Sequence, residues 1–438
     1  MTGADPVATG LEAVGLLRQL DLESLVRLFW YTMLFDLPRY AVGSLIILTT
    51  PLARRLLPAR EASPEPISAK PLTFSVVIGG HNEAEALRRC IASIGEQTIM
   101  DAARGEIIVI DDGSSDEMAR VMADLRRRGA IDVALSLGLR GGKSAAVNLG
   151  LRHCKGDIVI IADVDTSFDR DAFERLLEPF ENPEIGAVCG NLRLRNPFVS
   201  MVTRFQAIEY LVSISLGRRV SDVLGVLSIV SGAFGAFRRE ALDAVGGYDV
   251  EVGEDADLTL KLIWAGWRIA FAPEARASTD APETFGALVR QRLRWDRGVV
   301  TIWGRKYRRA LDPHYANFTL GMTLILADVF VFEALLSVAM IVYLFWLFLT
   351  FGSFGWVLLV ATMGVYVGLA AMMLVAAAIL ERDADALALL PYVPFYVLMN
   401  FAVMRLLRLV AFVDELAFRR SYRDPYVPRR VMDQVEWF

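Results

Sequence analysis

Four short polar clusters concentrate carboxylates, a lysine and glycines in this 438-residue chain: His81-Asn82-Glu83, Asp111-Asp112-Gly113-Ser114, Arg140-Gly141-Gly142-Lys143-Ser144 and Asp163-Val164-Asp165. Asp163 and Asp165, one residue apart, point the same way from an extended segment. Such a pair suits a hard divalent cation, Mg2+ or Mn2+, which takes few carboxylates and fills its shell with phosphate oxygens. Two glycines before Lys143 let the backbone come close to a diphosphate, and the lysine adds positive charge. Together these residues describe a site for a nucleoside diphosphate. Any one cluster alone reads as a polar turn, where aspartate is common; four of them at corresponding places do not.

The elements that must position them are legible from apolar runs. Phe74–Gly80, Glu106–Ile110, Asp132–Leu137, Asp157–Ala162 and Ile185–Cys189 are short and rich in β-branched residues, with helical patterns at Glu83–Glu96 and Glu117–Arg128. This alternation predicts an α/β, Rossmann-like domain with a largely parallel sheet. The four clusters fall at the carboxyl ends of its strands, where such sheets bind ligands.

Composition adds a membrane. Apolar residues make up 54% of the chain, mean hydropathy is +0.41, and ordinary soluble domains run to roughly 45–50% apolar. Net charge is −5, so no global field favours nucleic acid. Three scattered cysteines and three histidines give neither a disulfide framework nor a zinc site. Phe29–Ala53 reads as an uncleaved span, Phe318–Phe351 and Phe354–Leu380 as two strong spans, and Ala386–Leu407 as a third. Three clean spans would put the basic tail outside, so either the third lies in the interface or Phe318–Phe351 is broken. Basic Arg54, Arg55, Arg60 and Lys70 before the polar block, and Arg305, Lys306, Arg308 and Arg309 after it, place that block on the cytosolic side. The expected division is a membrane segment and linker at 1–70, a catalytic domain at 71–285, amphipathic interfacial helices at 286–317, a transmembrane region at 318–413 and a basic tail at 414–438. Asp328, Glu333, Asn400 and Arg405 lie at membrane depth, where charges face protein or a water-filled path.

With Gly253-Glu254-Asp255 and Gln291-Arg292-Leu293-Arg294-Trp295 added to the clusters above, the chain resembles the inverting glycosyltransferases of family 2. It is most similar to their membrane-integrated, polymerising branch, which includes cellulose, chitin, hyaluronan and poly-N-acetylglucosamine synthases. The resemblance implies a GT-A fold, a UDP-sugar donor, a polysaccharide or glycan acceptor, surrounding membrane lipids, Mg2+ or Mn2+, and a bacterial inner-membrane location, with accessory export subunits as further partners. Carried over residue by residue, it places Asp112, with Asp111, at the nucleoside, Glu83 near the base, Lys143 and Asp163 at the diphosphate, and Asp165 with Asp163 at the metal. Asp255 becomes the general base, and Gln291, Arg294 and Trp295 close the donor site and meet the acceptor. Gly-Glu-Asp stands where polymerising relatives often carry Thr-Glu-Asp.

Two points stay open at this level. Glu254 either raises the pKa of Asp255 by like-charge repulsion or faces away in a helix's first turn. Gln291, Arg294 and Trp295 share one helix face, which lines the site or lies among lipid headgroups. The expected function is transfer of a sugar to the growing end of a β-linked polymer with passage of that polymer through the membrane; the alternative is a single addition to a lipid or short glycan.

Overall fold

The structure, a computed structural model, describes residues 21–33, 72–100, 105–314 and 319–434 together with isolated positions 15, 43 and 49. Most of the expected Phe29–Ala53 span and the basic residues at 54, 55, 60 and 70 lie outside them. The chain divides into two compact units. One comprises Ala59–Thr203, Ser221–Ala327 and Ala411–Phe438; the other comprises Met1–Pro58, Arg204–Val220 and Asp328–Val410.

The first unit is built on an eight-stranded mixed sheet. Its strands are β1 (Phe74–Gly80), β2 (Gly105–Asp111), β3 (Val133–Ser136), β4 (Ile158–Asp163), β5 (Ser167–Phe168), β6 (Ile185–Leu194), β7 (Phe234–Arg238) and β8 (Arg268–Thr279), in spatial order β3-β2-β1-β4-β7-β6-β8-β5. The half formed by β3, β2, β1 and β4 is parallel. β7 then runs antiparallel to both its neighbours, and β8 pairs with β6 in parallel. This is the α/β architecture the alternating runs predict. β8 was not among the expected strands: its run Arg268–Thr279 mixes alanines with charged residues and lacks a continuous β-branched stretch.

Five helices matter for the site: α1 (Ala84–Gly95), α2 (Met118–Arg127), α3 (Lys143–Leu151), α4 (Glu254–Trp264) and α5 (Phe285–Val299). Val77, Ile108, Ile110 and Ile161 are fully buried among the core, each contributing on the order of 1.5–3 kcal/mol through burial. Register aligns the strand ends. Gly80 of β1 pairs with Asp111, and Gly79 pairs with Asp163 on the other side, so the two aspartates flank a glycine pair. Nothing larger fits at Gly80, where a Cβ would stand 2.5 Å from Val164 Cγ2 and 2.8 Å from Met118 Cε.

The second unit contains the apolar helices. Leu336–Phe351 ends at Gly352, whose φ of +55° breaks the helix before Gly355–Leu380 begins. Two helical stretches, Leu320–Leu380 (61 residues) and Ala384–Phe418 (35 residues), are long and apolar enough to cross a membrane, for which about 20 residues suffice. Polar side chains within this unit find internal partners. Arg219 and Ser215 both donate to the buried Glu381 carboxylate, at 2.7 and 2.6 Å. Arg405 donates to the Tyr31 hydroxyl, which donates to Leu336 O at 3.0 Å. Among the charges expected at membrane depth, Arg405 is therefore paired with protein; the Glu333 side chain lies outside the described residues.

Candidate functional site

The carboxyl ends of β1, β2 and β4 bring the expected acidic residues to one edge of the sheet. Asp111 accepts from Ser114 N at 2.8 Å, closing the turn after β2. Asp112 is 4% exposed, and its two oxygens accept from Gly141 N at 2.6 Å and Gly142 N at 2.9 Å. Its carboxylate thereby shapes the Arg140–Ser144 loop from within. Gly113 has a φ of +65°, and a Cβ there would meet Arg140 N at 2.6 Å, so the two loops touch backbone to backbone. His81 Nδ1 donates to Asp112 O at 2.9 Å, a local structural bond.

Lys143 opens α3 beneath that loop. Its Nζ lies 2.5 Å from Asp163 Oδ1, 3.2 Å from Gly232 O and 3.8 Å from Glu254 Oε1. Burial works against its charge, yet Asp163, Tyr426 and Glu254 outweigh burial and hold the ammonium protonated well above the usual range. A Cβ on Gly232 would sit 2.8 Å from Lys143 Nζ and 3.6 Å from Asp255 Cβ. Lys143, its partner Asp163 and the Cβ of Asp255 thus lie close together around Gly232.

Glu83, Asp163 and Asp165 form the acidic side of this cleft. Burial, then the neighbouring Asp165 and Asp163, push Glu83 up to about 7. Asp165 is raised as well, by burial and by Asp163; its nearest hydroxyls, on Thr166 and Thr279, stand at 3.4 Å. Burial and mutual repulsion thus make Glu83 and Asp165 harder to ionise, and Lys143 offsets this only in part. That deficit fits a divalent cation bound by oxygen donors. Among the described residues no group of three or more His, Cys, Asp or Glu is placed to hold a metal ion by itself.

Glu254 and Asp255 start α4, after Gly253 at φ +93°. Glu254 does not face away: it is 6% exposed, reaches toward Lys143, and burial pushes it up to about 7. Asp255 is half-buried, with Oδ1 accepting from Ala256 N at 2.8 Å.

Gln291, Arg294 and Trp295 sit on α5 as the spacing predicts, capped by Thr284, whose hydroxyl accepts from Ala287 N. Arg294 stacks on the Tyr426 ring at 4.3 Å, and Tyr426 lies within electrostatic reach of Lys143, Glu254 and Asp163. Trp295 remains 40% exposed with the Arg292 guanidinium 4.3 Å from its ring. The Gln291 amide oxygen is buried without a hydrogen-bond partner among the described residues. Arg294 therefore joins the acidic cleft through Tyr426.

Three contributors were not visible in the sequence. Arg195 clamps the Asp163–Asp165 turn, donating to Asp165 O and Ser167 Oγ at 2.9 Å and to Ser278 O at 2.7 Å. Tyr426 and Val427, from the tail, border the same small pocket as Gly141, Gly142, Lys143 and Ser144. Arg140 donates to Tyr426 O at 3.2 Å, and Arg430 donates back to Arg140 O. Separations near 290 residues leave no local trace of these contacts.

Comparisons with known proteins identify the family. Residues 71–298 match a family model described as glycosyltransferase like family 2. Poly-beta-1,6-N-acetyl-D-glucosamine synthase from Staphylococcus epidermidis (strain ATCC 35984) is 32% identical over 227 residues, 51% of this chain and 54% of the relative. The synthase of the same description from Staphylococcus aureus (strain COL) is 31% identical over 229 residues, 52% and 54% respectively. The chain spans about half the length of the curated relatives it matches. Among solved structures, a mannosyltransferase from Pyrobaculum calidifontis, in complex with GDP-Man and Mn2+, superposes with a TM-score of 0.57 at 21% identity, covering 89% of this chain and 99% of that one; this likeness is one of fold. With the family model spanning more than half of its 438 residues, the chain belongs to the family of glycosyltransferases like family 2.

Proposed function

We propose that this protein is a membrane-bound inverting glycosyltransferase that moves a sugar from a UDP-sugar to the growing end of a β-linked polysaccharide and passes the polymer through its apolar helices. The observation that carries the reading is the convergence of Lys143, Asp163, Glu254 and Asp255 on one cleft at the strand ends. The relatives' description makes N-acetylglucosamine the sugar to test first.

In this reading the acceptor hydroxyl oxygen attacks the anomeric carbon as the bond to the diphosphate oxygen breaks, and the hydroxyl proton passes to the Asp255 carboxylate. General-base assistance of this kind contributes about 10²–10⁴ in rate. Asp163 and Asp165 would hold Mg2+ or Mn2+, whose charge offsets that of the leaving diphosphate. Lys143 contributes fixed positive charge to the same group, and Arg294 follows once Tyr426 no longer holds its guanidinium. Preorganised charge is commonly the largest catalytic contribution. Asp112 and Asp111 act on the nucleotide through the loops they fix, with Glu83 between those loops and the metal. Gln291 and Trp295 remain for the acceptor, the unpaired amide and the exposed indole suiting sugar hydroxyls and a sugar ring.

Purified protein incubated with radiolabelled UDP-N-acetylglucosamine and Mg2+ should yield a product series of many sugars. A single addition would refute polymerisation, and no transfer from any UDP-sugar would refute the donor assignment.

A further inference from the structure

Behind the cleft, on the opposite face of α4, a second charge cluster has no part in the reaction just described. Asp257 follows Asp255 by two residues, which on a helix is a rotation of about 200°. It is fully buried. Its Oδ1 takes Lys306 Nζ at 2.8 Å and the Tyr307 hydroxyl at 3.0 Å, while Oδ2 has no hydrogen-bond partner among the described residues. Lys306 Nζ also bonds Asp249 Oδ2 at 2.8 Å and lies 3.7 Å from Glu251 Oε1. Asp249 is gripped from the other side by Lys261, 2.8 Å from Oδ1, which also donates to Gly247 O at 2.9 Å. Asp249 and Glu251 belong to the turn Gly246–Gly253, whose glycines 246, 247 and 253 all have positive φ. That turn delivers the chain to Glu254 and Asp255.

Lys306 reaches this cluster from the segment Val300–Lys306, a π-helix that continues α5 directly. Single π-turns widen a helix and re-aim its side chains, often beside functional sites. Here the wide turn sends Arg305 to the buried Glu415, at 2.6 Å, and Lys306 to Asp257. Both were counted from sequence among the basic residues that place the polar block on the cytosolic side.

We propose that Lys306 is a positioning residue: its ammonium ties α4, which carries Asp255, to the α5 segment, which carries Gln291, Arg294 and Trp295, and so holds the two halves of the site in register. The inference rests on the proposed role of Asp255. Asp257, Asp249 and Glu251 are three carboxylates on α4 and its approach turn, and Lys306 spans from α5 to all three. Burial pushes Glu251 up to about 7, consistent with an acid-rich pocket held together by the lysines. A buried carboxylate whose partner is removed drives its surroundings to rearrange, and a misplacement near 1 Å at a reacting group costs about 10²-fold in rate.

The test is turnover by full-length Lys306→Met and Lys306→Arg, read as UDP release from UDP-N-acetylglucosamine. The expected result is a kcat for Lys306→Met lowered by about 10²-fold with the donor KM unchanged, and partial recovery in Lys306→Arg. The double variant Lys306→Met/Asp257→Asn removes both charges; it should melt like the wild type yet keep the low kcat, and it serves the same purpose should Lys306→Met alone not fold. A wild-type kcat in the double variant overturns the proposal, because charge balance alone would then explain the single variant. Asp255→Asn run in parallel separates the two readings. Full activity there removes the base and this inference with it; an inactive Asp255→Asn beside a Lys306→Met of unchanged kcat overturns the positioning role alone.

Discussion

Asp255 and Glu254 are adjacent in sequence but occupy different environments. Glu254 is buried against Lys143, while Asp255 borders Gly232 in the open part of the cleft. Asp255→Asn should reduce transfer by about 10²–10⁴ with donor binding preserved, checked by UDP release and by equilibrium binding of UDP. Glu254 makes a pH prediction. Its folded pKa of about 7 lies above the ordinary value, so ionising it costs more in the folded chain than in the unfolded one. That cost is absent at pH 4, grows between about 4.5 and 7, and is full above 7. Glu254→Gln should therefore melt at a higher temperature than the wild type at pH 8 and at nearly the same temperature at pH 4; an advantage that shrinks as pH rises would contradict it. The sequence held both possible placements of Glu254 open, and burial decided between them, since a helix's first turn fixes an angle but not which neighbour fills the space beside it.

The loops at the strand ends depend on glycines more than on their polar residues. Gly113 combines a φ of +65° with a Cβ position 2.6 Å from Arg140 N, so Gly113→Ala sets strain of about 1–3 kcal/mol against backbone that cannot turn aside. The expected outcome is a lower melting temperature together with a raised donor KM, because the displaced Arg140–Ser144 loop carries Lys143; a melting change with unaltered KM would separate the loop from the donor. The polar clusters at the ends of β1, β2 and β4 could be read from the chain because a buried parallel strand must be apolar and must stop where polar residues begin. β8 could not: alternating alanine and charge belongs equally to a turn or a helix, and only its pairing with β6 makes it a strand. The same holds for Arg195 and Lys306, whose partners lie between 28 and 85 residues away and leave no mark in local periodicity.

At the scale of the whole molecule, apolar composition foresaw long helices, and the break at Gly352 separates two of them where the two apolar runs divide. The residues Arg204–Val220, by contrast, lie inside the stretch matched by the family model yet belong to the compact unit of the apolar helices; their helical pattern alone could not assign them. The tail was expected only as a basic terminus. Instead Tyr422, Val427 and Met432 pack together with Val250, and Pro428 comes within 3.3 Å of a Cβ position on Gly142. A chain ending at Arg423 should bind a fluorescent UDP analogue with a faster association rate in stopped-flow; slower association would show that residues 424–438 help to hold the nucleotide. In the proposed reading the pyrophosphate sits beside Lys143, in the space that Tyr426 and Val427 border together with Gly141 and Gly142, so entry of the donor would require the chain around Tyr426 to give way.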